Sequence, residues 1–268
     1  MTRIDSAGMA AILLDLDGVL RVSGDPIPGA IEAVAELRRQ GHRLRFVTNN
    51  TTRSRATLAG ELRGYGIELD DAELQTTAAA AARTLAGKRV FALVMAALVD
   101  DLEGIELVGE GADAVLIGGA DETDETGRVF SYMNLARAFG ELELGAELYC
   151  LHKNRWWQTS RGPLLDSGAF VAGLEYAAGV EATVLGKPST AYFEAALAAL
   201  DAEPALTWMV GDDLETDIAG AQRFGLKTVL VRTGKFRPDT LERSTVVPDA
   251  VLSSIAYLPA WLDGGSEQ

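Results

Sequence analysis

An apolar run, Met9 to Leu14, ends in two carboxylates one residue apart and then a glycine: Asp15-Leu16-Asp17-Gly18. A short unbroken apolar run bounded by turn residues predicts a strand buried on both faces, as in a parallel sheet covered by helices. If that strand is central, its carboxyl end opens into the crevice where α/β folds bind ligands. Two like charges so close together are costly to bury unless a proton or a cation compensates them. The stretch is either an acidic turn or a metal-dependent site. Asp-x-Asp-Gly alone does not choose between them, because these residues favour turns in any case.

The chain that follows keeps to one grammar. Ile31, Val34, Ala35 and Leu37 recur at helical spacing up to Gly41, a good stop. Arg43–Val47 predicts a second strand, ending in Thr48-Asn49-Asn50-Thr51-Thr52, and Ser54 is placed to cap a helix running to Gly64 or Gly66. Strand, helix, strand, helix implies a right-handed parallel unit. From about Thr77 the texture changes. Arg89–Val94, Ala114–Ile117 and Glu147–Leu151 read as strands, with helices over Tyr132–Leu142 and Asp166–Ala178, and no matching acidic constellation at the strand ends. From Thr183 the opening texture returns. Gly186-Lys187-Pro188-Ser189 introduces a helix, Thr207–Val210 runs into Gly211-Asp212-Asp213 with Asp217 beyond, and Thr228–Val231 runs into Arg232-Thr233-Gly234-Lys235. The expected organisation is a core over residues 1–77 and 183–268 with a smaller α/β domain, 78–182, inserted into it.

Composition narrows the function classes. The net charge is −15 with no basic cluster, so nucleic acid and anionic membranes are unfavourable partners, and an anionic substrate must be met by local cations. One cysteine, Cys150, excludes an intrachain disulfide and suits a reducing compartment, and no apolar stretch approaches a membrane span. The expected location is cytoplasmic. Trp156 and Trp157 read first as packing residues, His42 and His152 lack metal-ligand spacing, and Cys150 reads as a small buried hydrophobe.

Four predicted strands thus end in polar clusters: Asp15/Asp17, Thr48/Asn49, Asp212/Asp213 and Arg232/Thr233, with Lys187 before a helix. Alone, Thr48-Asn49-Asn50 reads as turn chemistry, Lys187 as a surface lysine and Gly211-Asp212-Asp213 as a loop with a helix cap. The bland readings would have to hold independently at four strand ends that a parallel sheet brings to one edge. Together the residues make chemical sense. Carboxylates suit a hard divalent cation such as Mg²⁺. A hydroxyl, an amide and an ammonium can hold phosphoryl oxygens. One of the paired aspartates can attack phosphorus while the other handles the proton.

Asp-Leu-Asp-Gly-Val-Leu at 15–20, Thr-Asn-Asn at 48–50, Gly-Lys-Pro at 186–188 and Gly-Asp-Asp…Asp at 211–217 resemble the four motifs of the haloacid dehalogenase-like hydrolases. The insert resembles the cap of the branch holding the NagD-like and nitrophenylphosphatase-like phosphatases. Leu-His-Lys-Asn-Arg-Trp-Trp at 151–157 and Gly-Lys-Phe-Arg-Pro at 234–238 are similar to the phospholysine phosphohistidine inorganic pyrophosphate phosphatase-like group. The resemblance implies a doubly wound, Rossmann-like α/β hydrolase core with an inserted, mobile cap. It implies Asp15 as nucleophile and Asp17 as general acid and base, with Thr48, Asn49 and Lys187 at the phosphoryl group. Mg²⁺ would sit on the Asp15 carboxylate, the Asp17 backbone carbonyl and Asp212, with Asp213 or Asp217 supporting. Gly118-Gly119-Ala120-Asp121 departs from the Gly-x-Asp expected in such a cap. The expected activity is Mg²⁺-dependent hydrolysis of a small phosphorylated metabolite through an aspartyl phosphate. A dehalogenase, a catalytically silent binding protein on the same fold and a phosphorylation-switched receiver are the rivals. A specific homodimer through the cap is compatible with the acidic surface.

Overall fold

Ala11–Asp15 forms β1, and all five of its residues are buried. The computed structural model describes residues 9–159 and 162–265, which divide into two compact units. The first takes in the chain up to Thr48, Leu58–Gln75 and the chain from Pro188 onwards; the second comprises Asn49–Thr57 and Thr76–Lys187. Besides the expected insert, the second unit therefore claims 76–77 and 183–187 and, from further away in the chain, Asn49–Thr57. Those residues bond to the 76–187 segment, a long-range preference that local patterning does not carry.

In the first unit β1 is followed by a tight hairpin, β2 (Arg21–Val22) and β3 (Asp25–Pro26), then α1 (Ala30–Arg39), β4 (Arg43–Val47), α2 (Arg55–Gly64, counted here from Leu58) and the edge strand β5 (Leu74–Gln75). The second unit contributes α3 (Thr77–Thr84), β6 (Arg89–Leu93), β7 (Glu106–Leu107), β8 (Ala114–Ile117), α4 (Asp124–Val129), α5 (Tyr132–Glu143), β9 (Glu147–Cys150), β10 (Trp156–Thr159), β11 (Gly162–Leu165), α6 (Gly168–Ala178) and β12 (Thr183–Val184). The chain returns with α7 (Thr190–Leu200), β13 (Thr207–Gly211), a widely wound turn Leu214–Ala219 leading into α8 (Gly220–Arg223), β14 (Lys227–Val231), α9 (Pro238–Arg243), β15 (Ala250–Leu252) and α10 (Leu258–Leu262).

The first unit's sheet is six-stranded and parallel, in the order β15-β14-β13-β1-β4-β5, so β1 is central as its uninterrupted hydrophobicity requires. Ile12, Leu13 and Leu14 are fully buried, each contributing about 1.5–3 kcal/mol relative to exposure. Ile12 and Leu14 share one face with Phe46, Val210 and Val229, under Val34 and Leu37 of α1. α1 buries Ala30, Ala33, Val34 and Leu37, the stripe that the 3.6-residue period prescribes. α7 starts as its sequence predicts, with the Ser189 hydroxyl accepting from the Tyr192 N–H at 3.3 Å.

The second unit's sheet is also parallel, β12-β9-β8-β6-β7. Alternation along its strands sends Phe91, Leu93, Val115, Ile117 and Cys150 to one face and Val90, Ala114 and Leu116 to the other, each face with its own apolar cluster. Trp156 and Trp157 lie on the antiparallel hairpin β10–β11. There Trp156 is exposed and Trp157 half-buried. Among the described residues no helix is long and apolar enough to cross a membrane.

Candidate metal centre

Register sets the geometry of the first unit's carboxyl edge. Asp15, the last residue of β1, pairs with Val47 of β4, so Thr48 stands one step beyond on the neighbouring strand. On the other side Leu14 pairs with Val210 of β13, which brings Gly211 to the level of Asp15 and Asp212 just past it. Asp15, Asp212 and Asp217 are all buried, and each offers a carboxylate oxygen within 4.8 Å of the others'. Asp217 reaches them because the turn after β13 winds wide through Leu214–Ala219.

Asp213 does different work. Its Oδ1 accepts from the Glu215 and Thr216 N–H groups, both at 3.0 Å, and so caps that turn. Its own N–H donates to Asp217 Oδ2 at 3.2 Å, fixing the deeper carboxylate. Sequence alone left Asp213 and Asp217 interchangeable; here Asp217 joins the cluster and Asp213 shapes the turn.

The loop after β14 closes the cluster from the far side. The Lys235 backbone N–H donates to Asp212 Oδ2 at 2.6 Å, and Lys235 Nζ lies 3.3 Å from Asp213 Oδ2. The Thr233 hydroxyl donates to the Gly18 carbonyl. Gly18 has φ of +90° and Gly234 φ of +59°, and both backbones press against Asp212. A Cβ on Gly18 would lie 1.9 Å from Asp212 Oδ2, and one on Gly234 2.0 Å from the same atom. The Arg232–Lys235 run was legible as a polar strand end, but its donation to Asp212 was not.

Electrostatics follow from this crowding. Burial, then repulsion from Asp217, pushes the Asp212 carboxyl up to about 7, against the Lys235 N–H and ammonium. For Asp213 burial also raises the carboxyl, but Lys235 and the two capping N–H groups outweigh it and hold it low. Burial lowers the Lys235 ammonium, and the carboxylates of Asp213, Asp212, Asp217 and Asp15 more than offset that. Three buried carboxylates within 4.8 Å are an oxygen donor set that a hard divalent cation fits, since it would neutralise charges that otherwise demand a proton.

The other sequence-predicted residues fall into three places. The side chain of Asp17 stands 54% exposed beyond Leu16 and pairs with Arg21. Thr48 is buried at the end of β4, where its N–H donates to the Gln75 carbonyl at 3.1 Å and its carbonyl accepts from the Tyr192 hydroxyl at 3.0 Å. Asn49 and Lys187 come together in the second unit. The Asn49 side-chain amide donates to the Lys187 carbonyl at 2.8 Å and accepts from the Lys187 N–H at 2.9 Å, a reciprocal amide clamp. Cys150 is buried and its thiol is pushed up to about 12 by burial. His42 is structural: its Nδ1 accepts from the Ala10 N–H at 3.1 Å, and burial lowers its pKa.

Known proteins resemble this chain over most of its length. A family model described as haloacid dehalogenase-like hydrolase matches residues 12–108, and a second, haloacid dehalogenase-hydrolase-like model matches 184–258. Human phospholysine phosphohistidine inorganic pyrophosphate phosphatase is 37% identical over 259 residues, covering 93% of both chains. Among solved structures, a p-nitrophenyl phosphatase from Archaeoglobus fulgidus superposes with a TM-score of 0.87 at 28% identity, over 94% of this chain and 98% of that one. The glycerol phosphate phosphatase Rv1692 from Mycobacterium tuberculosis, solved in complex with magnesium, gives 0.81 at 29% identity over 93% of this chain and 76% of its own. Rv1692 has also been solved in complex with calcium.

Proposed function

We propose, since this chain belongs to the haloacid dehalogenase-like hydrolases, that it is a Mg²⁺-dependent phosphatase releasing inorganic phosphate from a small phosphorylated molecule. The observation that carries this reading is the buried cluster of Asp15, Asp212 and Asp217 at the carboxyl edge of a central parallel strand. A divalent cation would neutralise the like charges of such a cluster, and the phosphatase relatives give that cation a purpose.

In this reading an oxygen of the Asp15 carboxylate attacks phosphorus, the bond to the leaving group breaks, and Asp17 gives its proton to the departing atom. The product is an aspartyl phosphate. Asp17, now deprotonated, takes a proton from a water whose oxygen attacks the same phosphorus, which frees phosphate and restores both carboxyl groups. A divalent cation held by the Asp15 and Asp212 carboxylates and the Asp17 carbonyl would supply charge neutralisation for the phosphoryl oxygens. Asp217 would complete the oxygen donor set, and Asp213 would keep the turn that carries Asp217 in shape. Thr48, Asn49 and Lys187 carry a phosphoryl-binding role on their motifs. Among them the buried, backbone-braced Thr48 suits a fixed donor. The second unit takes the part of the substrate-selecting cap.

The test is phosphate release from p-nitrophenyl phosphate, sugar and nucleoside monophosphates, pyrophosphate and a phosphoamide. The last two are included because of the relative's printed name. Each is run with Mg²⁺ and with EDTA, on wild type and Asp15→Asn. Metal-dependent release that vanishes in Asp15→Asn is expected. No release from any compound by folded, Mg²⁺-loaded protein would sink the reading.

A further inference from the structure

The group that hands over the proton in this reading, Asp17, is half in solvent, and an exposed aspartate is ordinarily free to sample several rotamers. Here it is not left free. Arg21 lies four residues further on, across a tight turn, with only 3% of its side chain exposed. Its Nε donates to Asp17 Oδ1 at 2.9 Å and its Nη2 faces Asp17 Oδ2 at 3.5 Å, so the guanidinium fork addresses both oxygens of one carboxylate. The third arm, Nη1, donates to Glu61 on α2.

The backbone around this fork is equally constrained. Gly18 N–H donates to the Arg21 carbonyl at 2.7 Å, and the Leu16 carbonyl accepts from Leu20 at 2.9 Å and Arg21 at 3.1 Å, which closes the turn from Asp17 to Arg21. Arg21 then opens the β2–β3 hairpin, whose tip holds Ser23 at φ of +54°. The Tyr65 hydroxyl donates to the Gly24 carbonyl at that tip at 2.6 Å. Glu61 on α2 and Tyr65 just past its end stand four residues apart, and the Tyr65 N–H donates to the Glu61 carbonyl, so this stretch braces both the guanidinium and the hairpin that carries it. Burial works against the cation, but Asp17 and Glu61 together keep it firmly protonated. Everything about Arg21 is fixed from below, and Asp17 is what it presents at the surface.

We infer that Arg21, buttressed by Glu61, is a positioning residue that holds the Asp17 carboxyl where it can protonate the leaving group. The inference rests on the phosphatase reading above. Arg21 touches neither the reacting phosphorus nor the Asp15–Asp212–Asp217 cluster through any of these bonds; it acts through Asp17. Lysine could match the charge but not the fork.

Leaving-group chemistry separates this role from a merely structural one. Protonation matters for phenyl phosphate, whose departing phenol resembles a tyrosine side chain with a pKa of about 10. It matters little for p-nitrophenyl phosphate, whose departing phenolate is far more stable. In Arg21→Met the kcat on phenyl phosphate is expected to fall about tenfold to a hundredfold, with p-nitrophenyl phosphate changing less than about threefold. Arg21→Lys should recover part of the loss, and Glu61→Gln should show the same substrate asymmetry in milder form. Glu61→Gln keeps the experiment decisive if Arg21→Met fails to fold, which a thermal melt reports. Equal losses on the two substrates, or no loss on either, would overturn the positioning role while leaving the phosphatase intact. Wild type that releases phosphate from neither of these nor from any other compound of the panel above would overturn the phosphatase reading, and this inference with it.

Discussion

The two units carry parallel sheets built by the same rule and ending in opposite chemistry. In the first, the residues at and just past the carboxyl ends of β1, β4, β13 and β14 are Asp15, Thr48, Asp212 and Arg232. In the second, the residues just past β6, β8, β9 and β12 are Val94, Gly118, Leu151 and Leu185. Several buried polar groups in the second unit find their partners within that unit. The Thr51 hydroxyl and His152 Nε2 are 3.0 Å apart, and His152 Nδ1 accepts from the Asn154 N–H at 3.2 Å. The buried Glu141 carboxylate accepts from the Gly111 and Ala112 N–H groups at 3.0 and 2.6 Å. The first unit instead gathers three carboxylates within 4.8 Å. One architecture therefore ends in apolar residues in one place and in crowded carboxylates in the other, because chemistry resides in the strand-end residues and not in the fold.

The sharpest way to break this comparison is to remove one carboxylate from each unit. Asp15→Asn is expected to reduce kcat on p-nitrophenyl phosphate by about a thousandfold or more, whereas Glu141→Gln should leave it within about twofold. An Asp15→Asn enzyme of near-normal activity would move the reactive centre elsewhere.

Stability should respond with opposite signs. In EDTA at pH 7.5, Asp212→Asn relieves like-charge repulsion and should raise the melting temperature. Glu141→Gln, which weakens two charge-assisted backbone bonds, should cost about 1–3 kcal/mol. Chemical denaturation of both variants measures the pair, and equal signs would remove the distinction between strained and satisfied carboxylates.

Acidity gives a third test. The Asp212 carboxyl titrates near 7 in the folded chain and near 3.8 when unfolded, so folding takes up a proton between those values. That contribution is fully present below pH 3.8 and is lost as pH rises through about 7, which lowers metal-free stability across the window. A cation occupying the cluster replaces the proton, so Mg²⁺ should raise the melting temperature more at pH 7.5 than at pH 5. The same increment at both values, in melts with Mg²⁺ against EDTA, would argue that the cation binds elsewhere.

The smallest effect concerns Cys150, which ends β9 as Asp15 ends β1. Buried and titrating near 12, its thiol should resist a disulfide reagent at pH 8 in the folded protein and react once the chain is denatured. Rapid labelling of native protein would mean that the second sheet's edge opens readily.

Much of this was legible beforehand. The strand expected in Met9–Leu14 is there as Ala11–Asp15, with Met9 exposed ahead of it, and a parallel sheet puts the polar strand ends along one edge. Those inferences draw on local pattern plus one topological rule. The haloacid dehalogenase-like motifs were likewise continuous short stretches. What escaped were contacts between residues far apart in the chain. Lys235 donates its N–H to Asp212 across 23 positions, Arg21 reaches Glu61 across 40, and Asn49 clasps Lys187 across 138. The inserted unit was expected to start at residue 78, yet Asn49–Thr57 joins it, because Asn49 and Thr51 find their partners there.

By itself the sequence determined which strands are buried, which residues stand at their ends and that those residues carry like charges needing a counterion. Hydrophobic period and residue chemistry act over a few neighbouring positions, so they are readable along the chain. Only the tertiary structure decided which of Asp213 and Asp217 enters the cluster, which backbone N–H closes it and which cation holds Asp17. Those choices depend on loop windings and packing distances of a few ångströms between segments whose separation in sequence carries no trace of their contact.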